Sequence, residues 1–517
     1  VTQVLTGAAG AAGPGPWQNP HLSPNPGSNI HNDSYFSDTY PFPGPTKASA
    51  LEVDQLATVL IADPDTGHFR AVLLGECASQ AYDADGNIQT ICSGIPNPNT
   101  STFTTSLVTI DARTLAILAY TSYERSFPSL DQALSNFAGA GYFFQDNLFR
   151  IVVALPTGHV TVFQRQPSAV SPIDRYVAVR DINVTGDGGA VPADPSGDLR
   201  RVYALMPDKH GNIWFTTADA VVGTIAPDGT VRWYDTNDPD GDGTPDLQAD
   251  GGSQQIANSH AVDEGESTDG PSGVYVVTTY HQYKFQAGAD GTPAVAWQQA
   301  YDRGSGQKSG QVSWGSGSSP TVFNMGGRRF VTITDNATLM SVNVYRAENT
   351  LGPGETRLFA QVAPFGSETE VSNENSLVTL PGPGGVGFRI FVENNYGYSR
   401  PSDVLGTGVT KPGLARVDVL PSGDVWIGSR NHLIRIPSVV TKASFPSNTV
   451  FTYNKQVDGW YLTALDGDDL YARRFSLKVG PGLYQFNNHY SALSLAPDNR
   501  TVWIGTLFGI TRITVVR

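Results

Sequence analysis

The sequence predicts an all-β chain closed into a single propeller, and three observations carry that expectation. The first is a repeated unit. VYALMPDKHGNIWFTTADAVVGTI (202 to 225) and YSALSLAPDNRTVWIGTLFGITRI (490 to 513) share an apolar strand, a Pro/Asp turn, a Trp-centred strand, a short polar gap and a third strand. LARVDVLPSGDVWIGSRNHLIRI (414 to 436) reads as a looser third copy. Such a unit cannot bury both faces alone, so its copies must stack and close in a ring. The second observation is the length of 517 residues, which suits one ring of about eight four-stranded blades. The third is punctuation: 55 Gly and 35 Pro break the apolar runs, and none approaches the ~18 residues of a membrane helix.

Residues 1 to 50 are rich in Gly, Pro, Asn and Ser and show little periodicity, so they predict an irregular arm. Its aromatic residues (Trp17, Tyr35, Phe36, Tyr40, Phe42) are too many for a free linker, and the arm is expected to lie across the propeller and partly roof the channel mouth. Residues 51 to 517 form the propeller. A ring needs a closing strand from the N-terminal side, for which ATVLIAD (57 to 63) and FRAVLLGE (69 to 76) are the candidates. Innermost strands are expected near 77–82, 140–145, 202–206, 259–263, 319–323, 375–380, 449–453 and 489–495, which gives eight blades. Between 413 and 478 the register is ambiguous: LARVDVL and DVWIGS fit either the first two strands of a blade or the last two of the preceding one, and seven blades is the alternative count. Only LDQALSNFAGAG (130 to 141) has the character of a short helix.

A formal net charge of -15 without a Lys/Arg run would repel nucleic acid and anionic membranes, so neither is an expected partner. The start at Val1 reads as a processed N-terminus and predicts export, to the cell exterior or a periplasm, of a chain that works as a monomer. Cys77 and Cys92 flank two strands and a DADG turn, where cross-strand Cα atoms sit about 4.5 to 5.5 Å apart, within disulfide range. Two buried thiols are the alternative. Sequons at Asn32, Asn99, Asn183, Asn336 and Asn499 are compatible with a glycoprotein.

WFTTADAVVGTIAPDGTVRWY (214 to 234) resembles a blade of the streptogramin-lyase and quinoprotein-like propellers. SNIHNDSY, SHAVDEG, ENNYGYS and NNHYS are similar to strings in uncharacterised bacterial propellers of similar length. The resemblance implies the fold. A streptogramin lyase would carry an acidic residue after its W-F-T strand, where this chain has Thr217 and Ala218. A quinoprotein dehydrogenase would carry a vicinal cysteine pair and spaced tryptophan docking motifs. This chain has neither, so no quinone is expected, nor any nucleotide cofactor.

In a propeller, the loops that lead into innermost strands and those that follow second strands open on one face. Four polar loops should meet there: IANSHAVDEGE with His260 and Glu264, SNENSLV with Glu374 and Asn375, VENNYGYS with Glu393, Asn394, Asn395, Tyr396 and Tyr398, and FNNHYSAL with Asn488, His489 and Tyr490. Polar side chains at such positions must be hydrogen-bonded or functional. His31, on the arm beside Asp33 and Asp38, is the fifth candidate. His489 or Tyr490 is the expected base and His260 or Glu264 serves the leaving group, with Glu374 a further catalytic candidate; Asn375, Asn394, Asn395, Tyr396 and Asn488 are the expected substrate contacts. His31, His260 and His489 would alternatively hold copper or another transition metal. DPDGDGTPD places Asp238, Asp240, Asp242 and Asp246 in the alternating carboxylate spacing of a calcium loop with Gly243 at the turn, although Ala249 stands where an EF-hand carries its bidentate Glu. The expected function is a secreted lyase or hydrolase for a carbohydrate or similar oxygen-rich substrate, with a metal oxidoreductase or a non-catalytic glycan- or protein-binding propeller as alternatives.

Overall fold

The computed structural model describes residues 19–25, 27–94, 102–126, 142–263 and 273–517. LDQALSNFAGAG and Glu264 lie outside them. The strands form eight antiparallel blades. Their innermost strands are Glu76–Cys77 with Ala81–Tyr82, then Phe144–Gln145, Val202–Pro207, Ala261–Asp263, Thr321–Met325, Val378–Pro381, Lys442–Ser444 and Leu493–Leu495. Each blade is a meander, because neighbouring antiparallel strands need only a tight turn. The core is the set of layers between facing blades. Trp503 of blade 8 packs with Ile88, Val108 and Tyr120 of blade 1, and Phe323 of blade 5 with Phe388 of blade 6. Burial of these faces is what closes the ring.

The two close repeats occupy equivalent places. In blade 3 Trp214 of the second strand faces Met206 of the first, and in blade 8 Trp503 faces Ser494. The third copy is out of phase: Leu414–Val419 and Val425–Asn431 are the third and fourth strands of blade 6. A Pro/Gly hairpin turn joins any two antiparallel strands, so the motif alone does not fix strand number. The same ambiguity hid the start of blade 7. Thr449–Gln456, expected innermost, is its second strand, and the innermost is the short polar Lys442–Ser444.

A strand from the N-terminal side closes the ring as expected, but it is neither of the two candidates. Ala50–Leu56 pairs along its whole length with Gly509–Val516 as the outermost strand of blade 8, while Thr58–Ala62 and Phe69–Leu73 form a separate two-stranded hairpin. In Ala50–Leu56 the alternation is weak and three of its seven residues are polar, as suits an exposed outer strand.

Over residues 27 to 40 the arm enters the channel. Residues 27 to 40 are buried, and successive carbonyls accept backbone N–H groups from successive innermost strands: Ser34 from Val262 (2.8 Å), Tyr35 from Val322 (2.8 Å), Ser37 from Thr379 (3.1 Å) and Asp38 from Ala443 (2.9 Å). Thr39–Tyr40 then runs parallel to Lys442–Ser444. The arm therefore winds past blades 4 to 7 in order. Left-handed φ values at Asn32, Phe36 and Asp38 (75°, 58° and 54°) bend it tightly enough to do so. Asn and Asp tolerate that region, whereas Phe36 is held in it by burial.

Two sequons are incompatible with a glycan in this fold, since Asn32 and Asn336 are buried and the Asn336 amide donates to the carbonyls of Arg303 and Gly306. Cys77 and Cys92 face each other across neighbouring strands of blade 1 and are joined in a disulfide with Cα atoms 3.9 Å apart. Among the described residues no helix is long and apolar enough to cross a membrane.

Candidate functional site

A cavity of about 880 Å³ opens at the channel mouth, and every blade contributes to its wall: Ala78, Tyr142, Tyr203, Asn258, Ser319, Asn375, Val440 and His489, in blade order. Ile30 and His31 of the arm also line it, so the threaded arm forms its floor. Loops 307–312 and 397–403 bring Lys308, Gln311, Arg400 and Asp403 to the rim.

His31, Glu374, Asn375, His489 and Tyr490 share this one cavity. His31 sits in a fully buried network. Its Nδ1 lies 2.7 Å from the Ser376 hydroxyl and 3.3 Å from Asp38, whose other oxygen accepts from the Lys442 ammonium. Burial alone would raise the Asp38 carboxyl, but Lys442 and His31 hold it below its ordinary value. An ionised Asp38 accepts only, so the ring proton belongs on Nδ1 and the lone pair on Nε2. Nε2 is buried and has no protein partner. Burial outweighs the pull of Asp38 and lowers the His31 pKa below 6.5, so the ring is neutral at neutral pH. A carboxylate on Nδ1 and a free Nε2 is the arrangement of a general base.

Glu374 has the opposite character. Its carboxyl is buried, receives the Val312 N–H and is pushed up to about 8 by desolvation. Oε1 has no partner in the protein. The backbone is fixed by the Glu374 N–H, which donates to the Asn395 side chain at 2.9 Å. Gly317 is required beside it, since a Cβ there would meet Oε1 at 2.4 Å. The charge of Glu374 would reach Tyr142, Tyr203 and Tyr490, which raises their phenols beyond the effect of burial. A carboxylic acid that keeps its proton at pH 7 is the partner a general base needs.

His489 places Nδ1 2.8 Å from the Tyr398 hydroxyl and donates its backbone N–H to Glu76 at 2.7 Å. The neighbouring Tyr490 has a φ of 60°, an outlier for an aromatic residue, and its hydroxyl lies 3.4 Å from the Gly310 carbonyl. Such strain, held by the rings of Tyr398 and His489 packed against it, is characteristic of functional positions.

Other expected residues do not reach the cavity. His260 is buried next to the Trp214 backbone, and desolvation lowers its pKa to about 3, so it packs between blades as a neutral ring. The Asn394 and Asn488 amides are used in loop closure, donating to Glu370 and Pro412 and to Ser491 and Gly505. Asn395 supports Glu374 from behind, and Tyr396 lies off the wall. Glu393 is likewise one layer back: burial raises it to about 8, and it accepts from Asn375 (2.5 Å) and Thr441 (3.0 Å). Ser376, Lys442, Glu76, Tyr142 and Tyr203 were not legible as site residues, and only the polarity of KAS in an innermost strand hints at Lys442.

His31, His260 and His489 do not bring their ring nitrogens together. Among the described residues, the one group of three or more potential ligands within 4.8 Å of one another is Asp238, Asp240 and Asp242. Asp246 is not part of it; its N–H donates to Asn237. The loop lies on the surface, with the Asp238 carboxylate accepting the N–H groups of Asp242 and Gly243.

No protein-family model matches the chain. An uncharacterized protein of Archaeoglobus fulgidus is 26% identical over 328 residues, and the match covers 59% of each chain, so this chain spans about three fifths of that relative. Among solved structures, the quinohemoprotein alcohol dehydrogenase from Comamonas testosteroni superposes on 95% of this chain and 80% of its own with a TM-score of 0.54 and 11% identity. That likeness is one of fold, and the chain itself is an eight-bladed β-propeller. Its two cysteines are joined to each other and neither lines the cavity.

Proposed function

We propose that the chain is an exported acid–base enzyme, a lyase or hydrolase acting on a carbohydrate or similar oxygen-rich substrate in the channel-mouth cavity. One observation carries the reading: the cavity holds two buried, unpartnered polar atoms of complementary character, His31 Nε2 and Glu374 Oε1. Leaving either without a ligand costs free energy that a substrate hydroxyl or ring oxygen would offset. His31 takes a proton from the substrate and Glu374 delivers one to the departing oxygen, while the Asn375 side-chain oxygen, Tyr142 and Tyr203 offer hydrogen bonds to hydroxyls. The disulfide supports an oxidising compartment. The Asp238 loop is proposed as a structural calcium site away from the chemistry.

The test is turnover of a panel of plant, microbial and animal polysaccharides, read both as unsaturated product and as new reducing ends. Glu374→Gln and His31→Gln are each expected to abolish the signal that the wild type gives. Full activity in either variant would remove that residue from the mechanism.

A further inference from the structure

A second groove, of about 370 Å³, lies on the same face and is lined by Asp250, Gln255, Thr279, Tyr280, Arg303 and Trp314. Its aromatic wall is rigid. The Arg303 guanidinium is sandwiched between Tyr280 and Trp314, 3.7 and 3.8 Å from the ring centroids. Asp250 accepts from Arg303 (2.6 Å) and from the Tyr280 hydroxyl (2.8 Å), and the Trp314 indole N–H donates to the Arg303 carbonyl (2.8 Å). These contacts fix the indole without covering it, since Trp314 is 37% exposed. An aromatic surface held in advance loses little conformational entropy when a ligand covers it.

Two segments of the chain run from the groove to the cavity. Gln255 lines the groove and Ala257 the cavity, two residues on, a distance of about 7 Å in extended chain. The 303–314 loop supplies Arg303 and Trp314 to the groove and Lys308, Ser309, Gln311 and Val312 to the cavity. A pyranose ring has C–H faces and a hydroxyl edge, which match an exposed indole rimmed by Asp250, Gln255 and Thr279. We infer that this groove is a second sugar-binding position, in which Trp314 stacks on one ring of a saccharide chain whose reacting unit sits in the cavity. The inference rests on the acid–base reading above.

The experiment is calorimetric binding to the Glu374→Gln protein, with cello-, xylo-, chito- and galacturono-oligosaccharides each supplied as disaccharide and hexasaccharide. In at least one series the hexasaccharide is expected to bind about tenfold tighter than the disaccharide. Adding Trp314→Ala should bring the two within about twofold without changing disaccharide binding or Tm. Trp426→Ala, at an exposed tryptophan on the outer strand of blade 6, should leave the ratio as it was. A preference for length that survives Trp314→Ala overturns the groove subsite and leaves the cavity reading standing. Absence of binding in all four series overturns both.

Discussion

Glu374→Gln should make the protein more heat-stable in alkali and leave it nearly unchanged in acid. In the wild type, burial raises this carboxyl from 4.5 to about 8. The unfolded chain therefore releases its proton near pH 4.5 while the folded chain holds it to pH 8. The sign follows: the raised group contributes its full stability below pH 4.5, and that contribution is lost as pH rises to about 8. At 1.36 kcal/mol per pKa unit the loss is on the order of 5 kcal/mol. For a chain of this length the unfolding entropy is about 1.1 kcal/mol per degree, so the loss corresponds to about 4 °C in Tm. Glutamine stays neutral at every pH and still accepts the Val312 N–H. Thermal melts followed by circular dichroism should give Tm values within about 1 °C of each other at pH 5 and the variant about 4 °C higher at pH 9. Glu393, pushed to a similar value, is present in both proteins and cancels. Parallel Tm curves between pH 5 and pH 9 would mean that Glu374 ionises at its ordinary value, and the general-acid role would fall with the prediction.

On a substrate that is turned over, kcat/KM should decline above about pH 8, where Glu374 loses its proton, and hold steady down toward the lowered pKa of His31. Asp38→Asn, which withdraws the acceptor from His31 Nδ1, should reduce kcat by about 10²-fold or more; an unchanged kcat would show that Asp38 does not position the ring. Cys77→Ala/Cys92→Ala opens a fifteen-residue loop and should lower stability by about 3 kcal/mol in denaturant titrations. Calcium at millimolar concentration should raise Tm in the wild type and not in Asp238→Asn/Asp240→Asn; equal shifts would exclude this loop as the site.

The fold was legible wherever apolar strands alternate with Pro/Gly turns, and seven of the eight innermost strands lie within or overlap their expected ranges. The eighth, Lys442–Ser444, was hidden because it faces the arm with an ammonium group and so lacks the apolar signature of a core strand. The arm's path was hidden for a related reason: the groups that accept the N–H bonds of successive innermost strands are the backbone carbonyls of Ser34, Tyr35, Ser37 and Asp38, which side-chain composition does not reveal. Among site residues, Asn-rich contexts do bring His31, Glu374 and His489 to one wall, but the same composition at Asn394 and Asn488 serves only to close loops. Composition marks a polar, irregular backbone and cannot distinguish amides that satisfy neighbours from those left for a ligand. His260 is the clearest case, a polar residue accommodated between packed blades as a neutral ring.

The path of residues 27 to 56 has a consequence for how the molecule assembles. This stretch precedes the innermost strands of all eight blades in the chain, yet it meets the blades that follow: Ser28 accepts from Gln145 of blade 2, Ser34 meets Val262, Asp38 meets Ala443, and Leu51 pairs with Val515. None of those surfaces exists as a ring until the C-terminal strands have formed, so a segment made before the blades is seated after them. Contacts of such long sequence separation impose slow final closure. Because the same stretch carries His31 and Asp38, a chain halted before closure would have the proposed acid of the site, Glu374, without its proposed base. Catalytic competence would then appear in the same step as native topology, and partly folded chains would be inert toward substrate.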